Sequence, residues 1–421
     1  MSGNDDPAEK HRRIRVVFSI GALHGGGSER QLVSLLRQLD RRRFEPFLYL
    51  IYRSGPLLSL VPDDVPVAAF EERVTPSRIY APGLMHALRV ADFAKYLREI
   101  RADVSYDRTF LMTLVSAAGA QKAGVPNVST IVTDPETGFS PVAGRFQWIK
   151  RRKLHRLYER SSRVLAVSDG ARKAAIRFYK IHPERIETLL NGVDTNLLEE
   201  QAIRPPGSES PDLAAWWNGD QAMDSGGTSS RPDTLRIVSA GRLNEQKGFH
   251  FLIQAAADLK VRFPDTSIRL CILGDGDWRD RLMQLVNERG LSNEVRMPGF
   301  QCNAAWWYRS ADVFVLPSLI EGMPNVLLEA MALGTPVISA DCPSGPREIL
   351  EGGRFGQLVP PSSSKAICDA LSRVLTDGHE IRKMSAEAAM HVKANYTIAQ
   401  AARRLETLFT SLVEANGSPP K

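Results

Sequence analysis

The feature that most constrains this chain is an alternation that occurs twice. Short apolar runs of strand length are followed by stretches whose apolar residues recur at helical spacing, once from Ile14 onward and again from Leu235 onward. In the first block residues 14–20 read as a buried strand, followed by a glycine turn and a helix with Leu32, Leu35, Leu36 and Leu39 on one side. Residues 47–52 and 186–190 read as further strands. The second block repeats the plan with strands at 235–240, 268–273, 313–316 and 336–340 and helices between them. Strand and helix in alternation imply a parallel sheet covered on both faces. Two such blocks imply two doubly wound α/β domains facing a cleft, with ligands at the carboxyl ends of the strands.

Between the blocks, residues 203–234 hold four Pro, four Gly and five Ser in 32 positions, which reads as a loop or disordered insertion. Trp216-Trp217 inside it is expected to make a local docking contact in preference to a ligand platform. The expected division is therefore 14–195, a flexible linker at 196–234, a second domain at 235–391, and a C-terminal segment at 392–415 that returns to the first domain, its helical period running from Ile398 to Leu412. Hydrophobic residues form 43% and charged residues 24% of the 421, the profile of a globular protein. The four cysteines, Cys271, Cys302, Cys342 and Cys368, are too few and too dispersed for a disulfide framework or a zinc site. Reduced thiols, no secretory signal and no spanning segment lead to the expectation of a cytoplasmic protein without a bound metal.

The densest chemistry lies between Leu316 and Pro336. A strand ends at Leu316, a loop carries Glu321, Gly322 and Met323, and a helix is expected to start near Pro324 or Asn325 and stop at Gly334. A helix start presents unpaired amides and the positive end of its dipole, an anion site. Glu329 lies one turn beyond Asn325, on a side chain that leans back toward the loop. Two carboxylates would then bracket a floor that prefers phosphate, accepting hydrogen bonds from sugar hydroxyls. Upstream, Arg242 and Lys247 follow a strand end and could neutralise a diphosphate without a metal. In the first block Gly25-Gly26-Gly27-Ser28 precedes a helix, with Ser28 and Gln31 fitting a capping box. The glycines read as a plain tight turn or as a ligand contact. Neither block opens with the dinucleotide fingerprint G-x-G-x-x-G, which disfavours a Rossmann oxidoreductase.

These residues resemble the retaining glycosyltransferases of the large group 1 (family 4) type, which use nucleotide-diphosphate sugars on two facing Rossmann-like domains, the GT-B architecture. Gly25 to Gly27, Asn191-Gly192-Val193-Asp194, Gly241-Arg242 with Lys247, Gly274-Asp275-Gly276, Pro298-Gly299-Phe300 and the Glu-x7-Glu segment Glu321 to Glu329 fall in the family's order. The resemblance implies that the first domain takes the acceptor and the second the donor. It implies that Arg242 and Lys247 grip the donor diphosphate, that Glu329 holds the ribose, and that Glu321 contacts the transferred sugar at the reacting centre. Backbone near Phe300 and Gln301 would read the base, the segment Gly322, Met323, Pro324, Asn325 and Val326 would bind sugar or phosphate through its free amides, and Gly26 and Gly27 would touch the diphosphate. No cofactor beyond the nucleotide-sugar donor is implied. Many relatives carry a histidine after a strand like 126–132, where this chain has Thr133-Asp134-Pro135; Asp134 either substitutes or caps a turn.

The implied acceptor is a growing glycan or lipid-linked saccharide. Residues 145–163 carry eight Arg or Lys against one acid, Glu159, interleaved with Phe146, Trp148, Ile149, Leu154, Leu157 and Tyr158. This stretch reads as a peripheral contact with a membrane surface, a solvated helix, or a site for an anionic acceptor; no nucleic-acid module accompanies the charge. Rival readings on the same architecture are a sugar-nucleotide epimerase, a glycan phosphorylase, or a non-catalytic nucleotide-sugar-binding protein.

Overall fold

The apolar run Ile14–Ile20 becomes strand β1, in which Val16 to Ile20 are all buried. Burial does not alternate along it because both faces of the strand are covered. The computed structural model describes residues 12–75, 83–205, 211–218 and 234–417, and the chain divides into two units, Met1–Asn191 with Ile398–Lys421, and Gly192–Thr397.

In the first unit β1 is joined by β2 (Phe44–Leu50), β3 (Val67–Ala69), β4 (Val104–Arg108), β5 (Asn127–Ile131), β6 (Arg163–Ala166) and β7 (Ile186–Thr188). The seven-stranded sheet runs β3-β2-β1-β4-β5-β6-β7, every pair parallel. The chain builds outward from β1 and then returns to its other side, so the order reverses between β1 and β4. Tyr49, Phe93, Tyr96 and Leu97 pack in one core cluster, and Phe139, Leu154, Tyr158 and Tyr179 in another. The C-terminal helix Ile398–Gly417 belongs to this unit. Its Phe409 ring lies 6.1 Å from Phe18 and 6.0 Å from Tyr106, and Glu406 accepts a hydrogen bond from the Asp40 amide at 2.8 Å. Within the segment 392–415 this helix starts at Ile398, and a separate helix, Gly378–Asn395, precedes it.

The second unit holds β8 (Thr234–Ala240), β9 (Ser267–Leu273), β10 (Val295–Arg296), β11 (Val313–Leu316), β12 (Val337–Ala340) and β13 (Gln357–Val359). They form a six-stranded parallel sheet in the order β10-β9-β8-β11-β12-β13, reversing between β8 and β11. Its largest apolar cluster joins Leu252, Ile253, Ala256 and Leu259 of helix Phe249–Arg262 to the sheet residues Ile237, Leu270 and Val315.

The segment 196–234, expected as a flexible linker, departs from that expectation where it is described. Helix Thr195–Ala202 is capped by Asp194, whose Oδ1 accepts from the Leu197 amide at 3.1 Å. A second helix, Pro211–Asn218, buries Trp217 completely, with its ring 5.3 Å from Trp307 and its indole N–H donating to Ser310 Oγ at 2.8 Å. The Pro, Gly and Ser of this stretch gave no sign of these helices, whereas the docking contact expected of Trp216-Trp217 is the one Trp217 makes with Trp307 and Ser310.

Candidate functional site

In an open parallel sheet the loops on either side of the order reversal diverge and leave room above the strand ends. In the second unit those are the loops after β8 and β11. The first carries Gly241, Arg242 and Lys247, the second Glu321 to Pro324. Lys247 Nζ donates to Glu321 Oε1 at 2.5 Å, joining the two. The pair is largely withdrawn from solvent, with side-chain exposures of 24% and 9%. The Leu319 amide donates to Gln246 O at 2.8 Å and ties the same loops through their backbones.

Close approach depends on glycine. Gly248 stands at φ 65°, a left-handed conformation, and a Cβ there would lie 2.1 Å from Pro317 O. Lys247's aliphatic stem runs over Gly241, where a Cβ would make only an ordinary contact with its carbons, at 3.5 Å. The loops after β9 and β10 join in, because the Gly241 amide donates to Leu273 O at 2.9 Å and the Gly274 amide to Gly299 O at 2.8 Å.

The helix after β11 spans Asn325–Ala332, with Pro324 as its cap residue and Gly334 beyond its end at φ 76°. Its first bonds run from the Leu327 and Leu328 amides to Pro324 O, at 3.2 and 3.4 Å. Glu321, Gly322, Met323, Pro324 and Asn325 are buried, whereas Val326 and Glu329 are half-buried. Gln301 is half-buried in the loop after β10, its amide nitrogen 3.3 Å from Pro298 O. Arg242 is exposed and makes no ion pair among the described residues. The structure thus brings Lys247, Glu321 and the helix start together in one unit. Gly26 and Gly27 belong to the other unit, where they open helix Gly27–Gln38. The cap there is not the Ser28–Gln31 box expected from the sequence: Glu29 Oε2 accepts from the Gly26 amide at 2.8 Å, two residues earlier.

Sequence reasoning missed the loop after β12. Ser344 Oγ donates to Glu321 O at 2.9 Å, and Gly345, at φ 94°, allows its backbone against Gly322, where a Cβ would lie 2.7 Å from Gly322 O. The signal was present as Pro343-Ser344-Gly345-Pro346 at the end of a strand, a turn at the same sheet edge as the other two loops. Cys342 beside it is buried, and burial followed by the Glu321 charge pushes its thiol up to about 12. Asp134 caps helix Pro135–Ala143, its Oδ1 accepting from the Glu136 amide at 2.8 Å, and burial raises its carboxyl above the ordinary value. All four cysteines are free, and three of them are buried. Among the described residues no three His, Cys, Asp or Glu side chains gather as a metal-binding group.

Two family models match the chain: Glycosyltransferase Family 4 over residues 25–197 and Glycosyl transferases group 1 over residues 234–377. An uncharacterised glycosyltransferase of Methanocaldococcus jannaschii is 42% identical over 33% of this chain and 37% of its own length. The N-acetylgalactosamine-N,N'-diacetylbacillosaminyl-diphospho-undecaprenol 4-alpha-N-acetylgalactosaminyltransferase of Campylobacter jejuni is 29% identical over 52% of this chain and 53% of its own. The chain therefore spans about a third to a half of the length of these curated relatives. The crystal structure of Anabaena HepE in complex with UDP-glucose superposes with a TM-score of 0.76, at 22% identity, over 95% of this chain and 100% of that one. That likeness establishes a shared fold, two parallel-sheet α/β domains of the GT-B kind.

Proposed function

We propose that this chain, which belongs to the group 1 (family 4) glycosyltransferases, moves a sugar from a nucleotide diphosphate to an acceptor hydroxyl with retention and without a metal. The observation that carries this reading is the Lys247–Glu321 pair above the order reversal of the second sheet, beside the start of helix Asn325–Ala332. A cation, a carboxylate and a helix start at one point suit a ligand that is a phosphate at one end and a polyol at the other.

In this reading Arg242 and Lys247 hold the diphosphate, aided by the backbone of Gly322 to Val326. Glu329 accepts from the ribose hydroxyls, and the backbone near Gln301 reads the base. Glu321 faces the transferred sugar. The donor's anionic phosphates compete with Glu321 for Lys247, so donor entry frees the carboxylate to accept from sugar hydroxyls. Transfer forms the bond from the acceptor oxygen to the anomeric carbon as the bond to the phosphate oxygen breaks. The acceptor's proton passes to that departing phosphate oxygen on the same face, and preorganised cations stabilise the charge that develops there. The Campylobacter relative's name, which includes a diphospho-undecaprenol, supports a lipid-linked saccharide or growing glycan as acceptor.

The test is a thermal-shift panel of nucleotide sugars, since a donor that binds only the native state raises its melting temperature. Stabilisation by at least one nucleotide sugar, followed by acceptor-dependent release of the nucleotide and an α-linked product from an α-linked donor, is the expected result. Turnover of the donor to an epimer without acceptor, or a requirement for free phosphate, overturns it.

A further inference from the structure

Val142, Phe146, Trp148 and Ile149, with exposures of 51%, 63%, 71% and 44%, fall within eight consecutive positions. They stand at the corner where helix Pro135–Ala143 gives way to helix Gln147–Arg160. Phe146 occupies φ 63°, ψ 35°, a left-handed conformation that bulky residues rarely adopt. Lys150 Nζ donates to Ala143 O at 2.5 Å and fixes the turn. A strained backbone that points aromatic side chains at solvent is the reverse of what stability alone selects.

The helix itself explains which of its apolar residues the core needs. Leu154, Leu157 and Tyr158 are buried at 0%, 6% and 0% exposure, so its later turns face inward. Trp148 and Ile149 on its first turn face water. The interleaved basic and apolar residues of 145–163 thus resolve along the axis into an inner, buried half and an outer, exposed tip.

That tip walls a cavity of about 530 Å³, lined by Phe139, Trp148, Arg151, Arg152, Phe178 and Lys180 among others. Arg151 stacks on Phe178, its guanidinium carbon 4.1 Å from the ring centroid, and donates to Phe178 O. Of the acids nearest in sequence, Glu136 and Glu159 are paired with Arg177 and Arg185, and the exposed Glu184 lies 3.9 Å from His182. Among the described residues the five cations Arg145, Lys150, Arg151, Arg152 and Lys180 thus face a single acid without an Arg or Lys partner. The surroundings therefore carry net positive charge beside exposed aromatic groups.

We infer that this corner is a membrane-surface anchor for anionic phospholipid. The headgroup phosphate sits among Arg151, Arg152 and Lys180, while Phe146, Trp148 and Ile149 enter the boundary between headgroups and acyl chains. No helix of the described residues is long and apolar enough to cross a membrane, and the corner holds the chain at the surface. The inference concerns the first unit alone and stands apart from the donor site.

The experiment is co-sedimentation of the full chain with vesicles of phosphatidylcholine, or of phosphatidylcholine with phosphatidylglycerol, at low and high salt. Binding is expected to the anionic vesicles only and to fall with salt. The exposed-residue variants Phe146→Ser/Trp148→Ser and Arg145→Glu/Arg152→Glu should each weaken partition by about tenfold or more, with the donor-induced thermal shift unchanged. Equal binding to both vesicle types, no binding to either, or variants that partition like the parent overturns the inference. So does saturable binding of inorganic phosphate at the cavity without vesicle binding, which assigns it to a soluble anion. Vesicle binding by a chain that no nucleotide sugar stabilises would leave the anchor standing and remove the transferase reading alone.

Discussion

Lys247 and Glu321, 74 residues apart in the chain, meet at 2.5 Å above the strand ends of the second unit. Glu321 is only 8% exposed, and that lysine is its ion-pair partner. Removing the cation strands a buried carboxylate, whereas Glu321→Gln keeps a hydrogen-bonding group of the same shape. Lys247→Ala is expected to destabilise the fold by about 2 kcal/mol and Glu321→Gln by less than about 1 kcal/mol. Both should lower the rate of sugar transfer by about a hundredfold or more. Urea unfolding and initial rates on the two variants check the asymmetry; equal stability losses would contradict it.

Gly248→Ala should be far worse than an ordinary glycine replacement. The left-handed backbone accounts for about 1 kcal/mol. The new Cβ, 2.1 Å from Pro317 O, forces the two loops apart. A total loss of about 3 kcal/mol or more is expected, together with weaker donor binding because Lys247 is the adjacent residue. Denaturation and calorimetric donor titration measure the two effects separately.

Trp217→Ala tests whether helix Pro211–Asn218 is part of the second unit's fold. The side chain is fully buried against Trp307 and bonded to Ser310. A cost of about 3–5 kcal/mol is expected, as for other large core truncations. A melting temperature equal to the parent's would mean that the helix does not dock.

Asp134→Ala should cost about 1 kcal/mol through loss of the helix cap, and Asp134→Asn only a few tenths. Both should transfer sugar at near-parental rates, because the carboxylate is engaged with the Glu136 amide. A large rate loss in the asparagine variant would instead give Asp134 a part in the chemistry.

Stability should fall as acid is added below neutrality. Burial, reinforced by the positive charges of Lys153, Arg89 and Lys122, holds His86 at about 4, below its ordinary 6.5. Between those values the unfolded chain takes up a proton that the folded one refuses, so this contribution is present above about pH 6.5 and is lost toward pH 4. Urea midpoints at pH 7 and pH 5 should differ, and His86→Gln should reduce the difference.

Much of this was legible from residues alone. The two alternating blocks specify parallel sheets because apolar runs such as Val16–Ile20 have no polar face to turn to water. The segment from Glu321 to Gly334 announced its loop, helix start and helix end through local chemistry, since Pro324 and Gly334 act on their own backbone. The turn at Pro343-Ser344-Gly345-Pro346 was legible as a turn, but the role of Ser344 was not, because a serine in a turn takes meaning only from the Glu321 carbonyl it reaches. The capping register at Gly26 also escaped, since Ser28 offers the same pattern and only the path of the chain selects Glu29.

By itself, then, the sequence determined what propagates along the chain: helical and strand periods, caps, and the order of the motifs. Tertiary structure alone decided what depends on distance across it. It set Lys247 on Glu321, seated Trp217 against Trp307, and turned Phe146 and Trp148 outward while Leu154 and Tyr158 went in. The reason is physical: a backbone preference acts within a few residues, whereas ion pairing and burial act between surfaces that only folding brings together.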